Sequence, residues 1–178
     1  MSYSNFKLSI DRSAFTVSND NRHPEGLNLK EVPRDYSEFT KLLNSVGGPL
    51  GWDKRKKYRV YQSEVRQRLA LEATHLFLFE RFNKAIGYSL TIARPDLSKT
   101  FNMQVAEIEN FGLKPAYTAK GYGGYFLNQV LSRLFNEGYE KVYLESRSTN
   151  HKKVVPFYER NGMSVIGIDE DIPDDFTP

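Results

Sequence analysis

The sequence predicts an α/β fold (α+β in stricter schemes) built around one mixed sheet. Three observations support this prediction. Segments with the period of a half-buried strand are interspersed with segments of helical period. Their order runs from early helices through a meander of strands to a final β-α-β-α-β unit. The 178 residues, 39% of them hydrophobic and 26% charged, are typical of one globular domain.

The first half of the chain is expected to hold two helices and three strands. Residues 1–26 are polar and end in turn-forming residues, so we expect an irregular, loosely attached extension. A strand at Leu27–Val32 and a helix at 34–46 follow, and a Gly-Gly-Pro sequence ends that helix. The other elements of this half are a second helix at 61–71 and a hairpin of strands at 76–80 and 85–92.

The second half is expected to alternate strands with helices. A strand at 104–113 leads through a glycine-rich turn into a helix at Tyr122–Asn136, which Gly138 ends. A strand at 142–145, a short helix ending near residue 161 and a strand at 163–168 follow. Together, these elements predict a single domain at 27–168. Residues 169–178 are expected to form a disordered acidic tail.

Composition excludes several classes of site and partner. The sequence has no cysteine, which excludes disulfides, thiolate metal sites and a cysteine nucleophile. His23 and His75 are isolated without metal-ligand spacing, so we expect no metal. No apolar run has the length of a signal-peptide core or a membrane span, so we expect a cytoplasmic protein with no membrane partner. A net charge of +3 without a nucleic-acid motif leads us to expect no nucleic-acid partner.

The most informative segment, residues 106–127, joins carboxylates on a strand to a turn containing Gly121, Gly123 and Gly124. Such a turn exposes backbone N–H groups to an anion lying over the helix start. The turn alone is equally consistent with tight packing, and it is neither a Walker A motif nor a clean dinucleotide fingerprint. Its meaning therefore depends on the residues around it.

Two signatures in this half resemble those of the GNAT superfamily of N-acetyltransferases. The sequence TAKGYGG at 118–124 is similar to the acyl-CoA signature Gln/Arg-x-x-Gly-x-Gly/Ala. The segment at 151–163, HKKVVPFYERNGM, is similar to the family's N-x-x-A-x-x-x-Y-x-x-x-G-F segment. Leu113-Lys114-Pro115 is similar to the family's V-x-P strand end. The resemblance covers residues 105–166.

The resemblance implies a mainly antiparallel sheet of about six to seven strands with helices on both faces. It implies acetyl-CoA as co-substrate and a small-molecule or protein amine as acceptor, and a homodimer is common in such families. An N–H near Leu113 would polarise the thioester carbonyl, and Gly112 would let the strand bulge there. The implied cofactor-binding residues are Phe111, Leu113, Thr118, Ala119, Lys120, Gly121, Tyr122, Gly123, Gly124, Asn150 and His151.

Three residues are candidates for catalysis. An amine must lose a proton before it attacks, and a nearby carboxylate is a natural base. Glu107, fourteen residues before Gly121, has the offset of the catalytic glutamate in the protein-acetylating branch of the family, and Glu109 is the second candidate. Glu107, Glu109 and Phe111 are two positions apart on the predicted strand, so we expect their side chains to share one face of the sheet. The resemblance gives Tyr158 the role of protonating the departing thiolate. Solvated strand acids and a packing tyrosine are the structural alternatives.

Departures from the family pattern leave other functions open. Thr118 stands where the family usually has Gln or Arg, and His151 stands where it has Asn. The alternative function is a non-catalytic acyl-CoA-binding sensor or regulatory module. Within the enzyme class, the alternative is acetylation of a protein lysine or N-terminus. The basic run at 54–59 is interpreted as a solvated loop rather than a site for an acidic substrate or the adenosine 3′-phosphate.

Overall fold

The computed structural model describes residues 2–16, 25–47, 63, 66–67, 69–70, 74–150 and 152–173. Its strands are β1 (Ser2–Asp11), β2 (Leu27–Val32), β3 (Thr74–Arg81), β4 (Lys84–Ala93), β5 (Val105–Leu113), β6 (Lys141–Arg147) and β7 (Ser164–Pro173). The helices in this part of the chain are α1 (Phe39–Gly47), α2 (Pro95–Phe101), α3 (Tyr122–Asn136) and α4 (Val154–Arg160). The seven strands form one sheet in the order β2-β3-β4-β5-β6-β1-β7. The predicted α/β class, with a mixed and mainly antiparallel sheet, is confirmed.

Most predicted elements after residue 73 agree with the structure. The α3 helix has its predicted bounds, and β3 and β4 form the predicted hairpin. The α2 helix was not predicted; it begins with Pro95 at its first position, where a missing N–H costs no helical hydrogen bond. The α1 helix begins at Phe39 rather than at residue 34, because the Tyr36 N–H donates to the Pro33 carbonyl in a turn (3.0 Å). The second predicted helix, at 61–71, lies mainly outside the described residues.

The expectation of an irregular extension at 1–26 is wrong, because β1 is an interior strand of the sheet. It pairs antiparallel with β6 on one side and with β7 on the other. Leu8 and Ile10 are buried in the core, while polar residues occupy the alternate positions of the strand. The acidic tail also begins inside the sheet, because β7 continues to Pro173 and Asp169 forms an ion pair with Lys7 (2.8 Å). Residues 174–178 lie outside the described part.

Helices cover both faces of the sheet, as expected. Phe77 and Phe79 of β3 enter a large core with α3 and α4, and we call this side of the sheet the α3 face. Leu76 and Leu78 enter a smaller core with α1, on the side that we call the α1 face. Because successive side chains of a strand point to opposite faces, β3 contributes residues to both cores. Among the described helices, none combines the length and apolar character needed to cross a bilayer.

The sheet opens between β5 and β6. These two strands form the parallel pair of the sheet, and their pairing runs only from Val105–Lys141 to Glu107–Tyr143. Beyond this point β5 stays paired with β4 as far as Leu113, and β6 stays paired with β1 as far as Arg147. The two strands diverge, and we call the resulting gap the β5–β6 opening. Main-chain groups along its edges have no strand partner across the gap.

Candidate active site

The main chain of β5 points into the β5–β6 opening. Leu113 lies opposite Gly87 of β4, and the Lys114 N–H donates to the Ile86 carbonyl (2.8 Å). In an antiparallel sheet, a hydrogen bond between these two neighbours means that Leu113 and Gly87 themselves form a non-hydrogen-bonded pair. The N–H and C=O of Leu113 therefore point away from β4. The same alternation directs the main chain of Phe111 toward the opening. An extended ligand in the opening could therefore hydrogen-bond to both residues.

A β-bulge at Glu109 overturns the predicted common face. Leu90 pairs with Asn110 and Thr91 pairs with Ile108, so Glu109 is an extra residue in β5. Ile108 belongs to the α3-face core and Phe111 packs against that same core. Glu107 consequently projects to the α1 face, opposite Phe111.

The bulge does not lie at Gly112, where the sequence suggested that β5 would bend. Gly112 instead allows α1 to approach, because a Cβ built on it would lie 2.5 Å from Cγ1 of Val46. This contact places the end of α1 against β5 beside the opening. Gly112 therefore serves packing on the α1 face.

Glu107 lies at the apex of the opening and is already paired with a cation. Its side chain is 8% exposed and accepts a hydrogen bond from Arg94, which follows β4. Arg94 also donates to both oxygens of Asp96, at 2.7 and 2.9 Å. The hydrogen bond to Asp96 and the charge of Glu107 raise the pKa of Arg94 above its usual value. Glu107 is thus a buried carboxylate held by a permanently charged guanidinium.

Glu145 is a carboxylate that the sequence reasoning missed. It projects to the α1 face from the diverging part of β6, two residues beyond Tyr143, and it is exposed. The Tyr143 hydroxyl donates to Oε1 and the Asn5 amide donates to Oε2, both at 2.6 Å. Glu145 forms no ion pair with any residue in the described ranges. The predicted strand at 142–145 contained this residue, but its place beside Glu107 depends on the parallel pairing.

The neutral hydroxyl of Tyr143 orients the Glu145 carboxylate by donating a hydrogen bond to it. Burial, followed by the hydrogen bond to Glu145, raises the pKa of Tyr143 well above its usual value. The phenol therefore keeps its proton throughout the neutral range. The carboxylate of Glu145 is oriented by two donors and remains open to solvent on its other side.

Tyr158 lies on the opposite face, within α4. It is buried beside Phe111 and Phe157, with ring centroids 6.4 and 5.1 Å away. Burial raises the pKa of Tyr158 above its usual value, so its hydroxyl is protonated at neutral pH. That hydroxyl makes no hydrogen bond within the described part of the chain. The candidate acid and the carboxylates therefore flank the opening from opposite faces.

The glycine-rich turn has the geometry of an anion site. Ala119 and Gly121 have φ of +57° and +82°, and no side chain of the described residues caps the start of α3. The first N–H groups of that helix are therefore free to bind an anion with favourable dipole orientation. Residues 118–121 are exposed, which leaves room for an anionic ligand over the helix start.

The other two glycines of the turn serve helix packing. A Cβ on Gly123 would lie 3.3 Å from the Phe157 ring, and a Cβ on Gly124 would lie 3.1 Å from Oδ1 of Asn161. Both contacts are tighter than ordinary van der Waals contact. These glycines thus let α3 and α4 approach each other beside the opening.

The remaining predicted ligands are distributed around the turn. The Thr118 hydroxyl donates to the Pro115 carbonyl (2.8 Å), and the Lys120 ammonium lies 5.8 Å from the centroid of the Tyr117 ring. Asn150, beyond the end of β6, donates to the Ser146 hydroxyl (3.2 Å). His151 and the basic run at 54–59 lie outside the described residues.

His75 is not isolated, contrary to expectation. Its Nδ1 lies 2.8 Å from Glu31 and its Nε2 lies 3.3 Å from Glu137, with the ligand atoms of the three residues all within 4.8 Å of one another. Arg133 closes a ring by donating to Glu31 (3.0 Å) and Glu137 (2.8 Å). Sequence spacing could not reveal this group, because its members come from β2, β3, α3 and the residue after α3. The ring ties the C-terminal end of α3 to the sheet.

The comparison with protein families decides the classification. The Acetyltransferase (GNAT) family model matches residues 40–163, more than two thirds of the chain. The chain belongs to the GNAT family of acetyltransferases. The resemblance drawn from the two signatures is thereby confirmed. No curated protein sequence matches the chain.

Solved structures share the GNAT fold at low sequence identity. A GCN5-related N-acetyltransferase from Sphaerobacter thermophilus is 14% identical, with a TM-score of 0.67 over 97% of this chain and 53% of its own. An aminoglycoside acetyltransferase from a soil metagenome is 12% identical (TM-score 0.59; 86% and 97% covered). The ribosomal-protein-alanine N-acetyltransferase from Brucella melitensis biovar Abortus is 13% identical (TM-score 0.56; 83% and 98% covered). The chain spans only 53–63% of the length of three matched structures, including the first of these.

Proposed function

We propose that this GNAT protein transfers an acetyl group from acetyl-CoA to a primary amine by direct attack. The observation that carries the proposal is the β5–β6 opening, with Glu107 and Glu145 on one face and Tyr158 on the other. The uncapped start of α3 supplies an anion site on the same protein. No covalent enzyme intermediate is required, which agrees with the absence of cysteine from the sequence.

The residues that would hold acetyl-CoA are main-chain groups. Phe111 and Leu113 offer N–H and C=O groups to the amides of the pantetheine arm, and the turn at 119–124 offers N–H groups to the diphosphate. When bound, acetyl-CoA supplies an acetyl group activated as a thioester. The N–H of Leu113 or Phe111 would then stabilise negative charge on the carbonyl oxygen.

Glu145 is the base that the geometry favours. The acceptor arrives as an ammonium ion and must give up one proton before its nitrogen attacks the carbonyl carbon. Glu145 is exposed, is oriented by two donors and makes no ion pair in the described part of the chain, because Lys7 opposite it on β1 is ion-paired with Asp169. Glu107, by contrast, is buried against Arg94. The proton would pass to Glu145 directly or through water, and Glu107 with Arg94 would shape the apex of the site.

Tyr158 would assist departure of the sulfur. As the carbon–sulfur bond breaks, the electron pair stays on the sulfur, and the phenol can donate a hydrogen bond to it. The raised pKa of Tyr158 exceeds that of an ordinary thiol, about 8.5, so complete transfer of the phenolic proton is uphill. We therefore assign Tyr158 the role of stabilising the thiolate, with its final proton coming from solvent or the attacking amine.

The acceptor is a primary amine of either a small molecule or a protein. The fold neighbours include enzymes named for aminoglycosides and for a ribosomal-protein alanine, so the fold does not choose between the two.

The experiment is a thiol-release assay with acetyl-CoA and a panel of polyamines, aminoglycosides, lysine peptides and free N-terminal peptides. We expect turnover with at least one cationic primary amine and a lower kcat in Tyr158→Phe. Tight binding of acetyl-CoA without turnover against any amine would instead identify a non-catalytic acyl-CoA-binding module.

A further inference from the structure

Arg81 places a positive charge, with no acidic partner among the described residues, beside the start of α3. It is the last residue of β3 and lies on the α3 face, because it alternates with Phe77 and Phe79. Its Cζ is 5.4 Å from the centroid of the Tyr122 ring, and Tyr122 is the first residue of α3. The guanidinium forms no ion pair or side-chain hydrogen bond with any residue in the described ranges.

The Nε of Arg81 is buried and has no acceptor among the described residues. A buried donor without an acceptor is destabilising, more so when it carries charge. Contact with the Tyr122 and Phe82 rings is favourable for the cation but supplies no hydrogen-bond acceptor. The Nη groups of the same guanidinium are not among these buried atoms, so an anion can reach them and neutralise the charge.

The surroundings of Arg81 are basic. Lys84 follows in the same hairpin and is exposed, and Lys114 lies nearby, donating to the Ala85 carbonyl (2.6 Å). The first turn of α3 contains no acidic residue. The adjacent acid in the chain, Glu80, is hydrogen-bonded to Asn28 (3.3 Å). Charge and helix dipole therefore both favour an anion at this end of the molecule.

We propose that Arg81 binds the diphosphate of coenzyme A together with the N–H groups at the start of α3. This inference rests on the proposed use of acetyl-CoA. The chain has Thr118, whose hydroxyl donates to Pro115, where the family usually carries a Gln or Arg side chain. Arg81 supplies from β3 the phosphate-directed charge that position 118 lacks.

The test is calorimetric binding of coenzyme A, and of the form lacking its 3′-phosphate, to Arg81→Gln. We expect the Kd to rise roughly tenfold for both ligands, as for one lost charge-assisted hydrogen bond. Lys30→Gln removes one exposed positive charge from β2 on the opposite, α1 face and is the matched control, with a change of less than about twofold. Adding Thr118→Arg to Arg81→Gln should recover most of the lost affinity.

Three results would overturn the assignment. Arg81→Gln could bind coenzyme A like the wild type, or its defect could vanish when the 3′-phosphate is missing, which would place Arg81 at that phosphate instead. A wild type that does not bind coenzyme A at all would refute the proposed function and the role of Arg81 with it. Arg81→Lys keeps the positive charge and controls for loss of affinity through misfolding. We expect Arg81→Lys to bind coenzyme A more tightly than Arg81→Gln, with equal thermal stability of the two variants.

Discussion

Glu107 and Tyr143 are the last residues joined by the parallel pairing of β5 and β6. From this pair onward the strands separate, and the main chain of β5 faces an opening instead of a neighbouring strand. The carboxylates of Glu107 and Glu145 flank that opening on the α1 face, and Tyr158 flanks it on the α3 face. One interruption of strand pairing thus creates the place where an acyl donor and an amine can meet.

Glu145→Gln should lower kcat/KM by about a hundredfold at neutral pH, because the acceptor ammonium loses its base. Raising the pH should recover part of the loss, since more of the amine is then already deprotonated. Steady-state kinetics from pH 6 to 10 measure this effect. Glu159→Gln, which changes an exposed acid on α4, is the control and should behave like the wild type.

Glu107→Gln is the comparison that assigns the base. It leaves the Arg94 guanidinium with Asp96 as its one acidic partner among the described residues, so we expect a lower melting temperature and a smaller kinetic loss than in Glu145→Gln. A larger kinetic loss in Glu107→Gln, with pH rescue, would make Glu107 the base and Glu145 a binding residue.

Tyr158→Phe should lower kcat by about tenfold to a hundredfold while the Kd for acetyl-CoA changes by less than about twofold. The ring keeps its contacts with Phe111 and Phe157, and only the hydroxyl is lost. Tyr139→Phe, at a half-buried tyrosine just after α3, is the control. Unchanged turnover in Tyr158→Phe would show that Tyr158 only packs in the core and does not take part in catalysis.

The ring around His75 should make stability depend on pH in the acidic range. Partial burial raises the pKa of Glu31, but the hydrogen bonds and charges of His75 and Arg133 outweigh it, and the net pKa lies below 4.5. A depressed carboxyl pKa contributes stability that is present above 4.5 and is lost as the pH falls through the folded-state value. Because the ring is partly exposed, the contribution is below about 1 kcal/mol.

Urea unfolding between pH 7 and pH 3 measures this linkage. The wild type should lose more stability over the range than Glu31→Gln, whose side chain does not titrate. Parallel curves for the two proteins would show that the ring does not hold the Glu31 carboxylate in its charged form.

Gly112→Ala should destabilise the fold by about 1–3 kcal/mol through overpacking against α1. The new Cβ would lie 2.5 Å from Cγ1 of Val46. Gly167→Ala in β7 is the matched control, because its Cβ would lie 3.5 Å from the nearest atom, Cδ of Lys7. Combining Gly112→Ala with Val46→Ala should cost less than the sum of the two single variants. Equal stability of wild type and Gly112→Ala in urea would contradict the close approach of α1.

Local patterns in the sequence were sufficient for α3 and for the β3–β4 hairpin. The apolar face of α3 and the glycine after it are local signals, and so is the alternation in the hairpin. By contrast, β1 is polar on one face and is placed between β6 and β7 by long-range pairing that local sequence does not encode.

The site was predictable in its parts but not in its arrangement. The signatures around Gly121 and Tyr158 were sufficient to predict the family. The spacing of Glu107, Glu109 and Phe111 predicted that their side chains share one face. The bulge at Glu109 reversed that parity, because one extra residue exchanges the two faces of a strand. Glu145 entered the site through parallel pairing with β5, which depends on tertiary structure.

A crystal structure of the protein with coenzyme A is the decisive measurement for this site. We expect the pantetheine arm to lie between β5 and β6, hydrogen-bonded to the main chain of Phe111 and Leu113, with the diphosphate at the start of α3. Coenzyme A bound elsewhere, or β5 and β6 paired beyond Glu107 and Tyr143 so that the gap is closed, would contradict it.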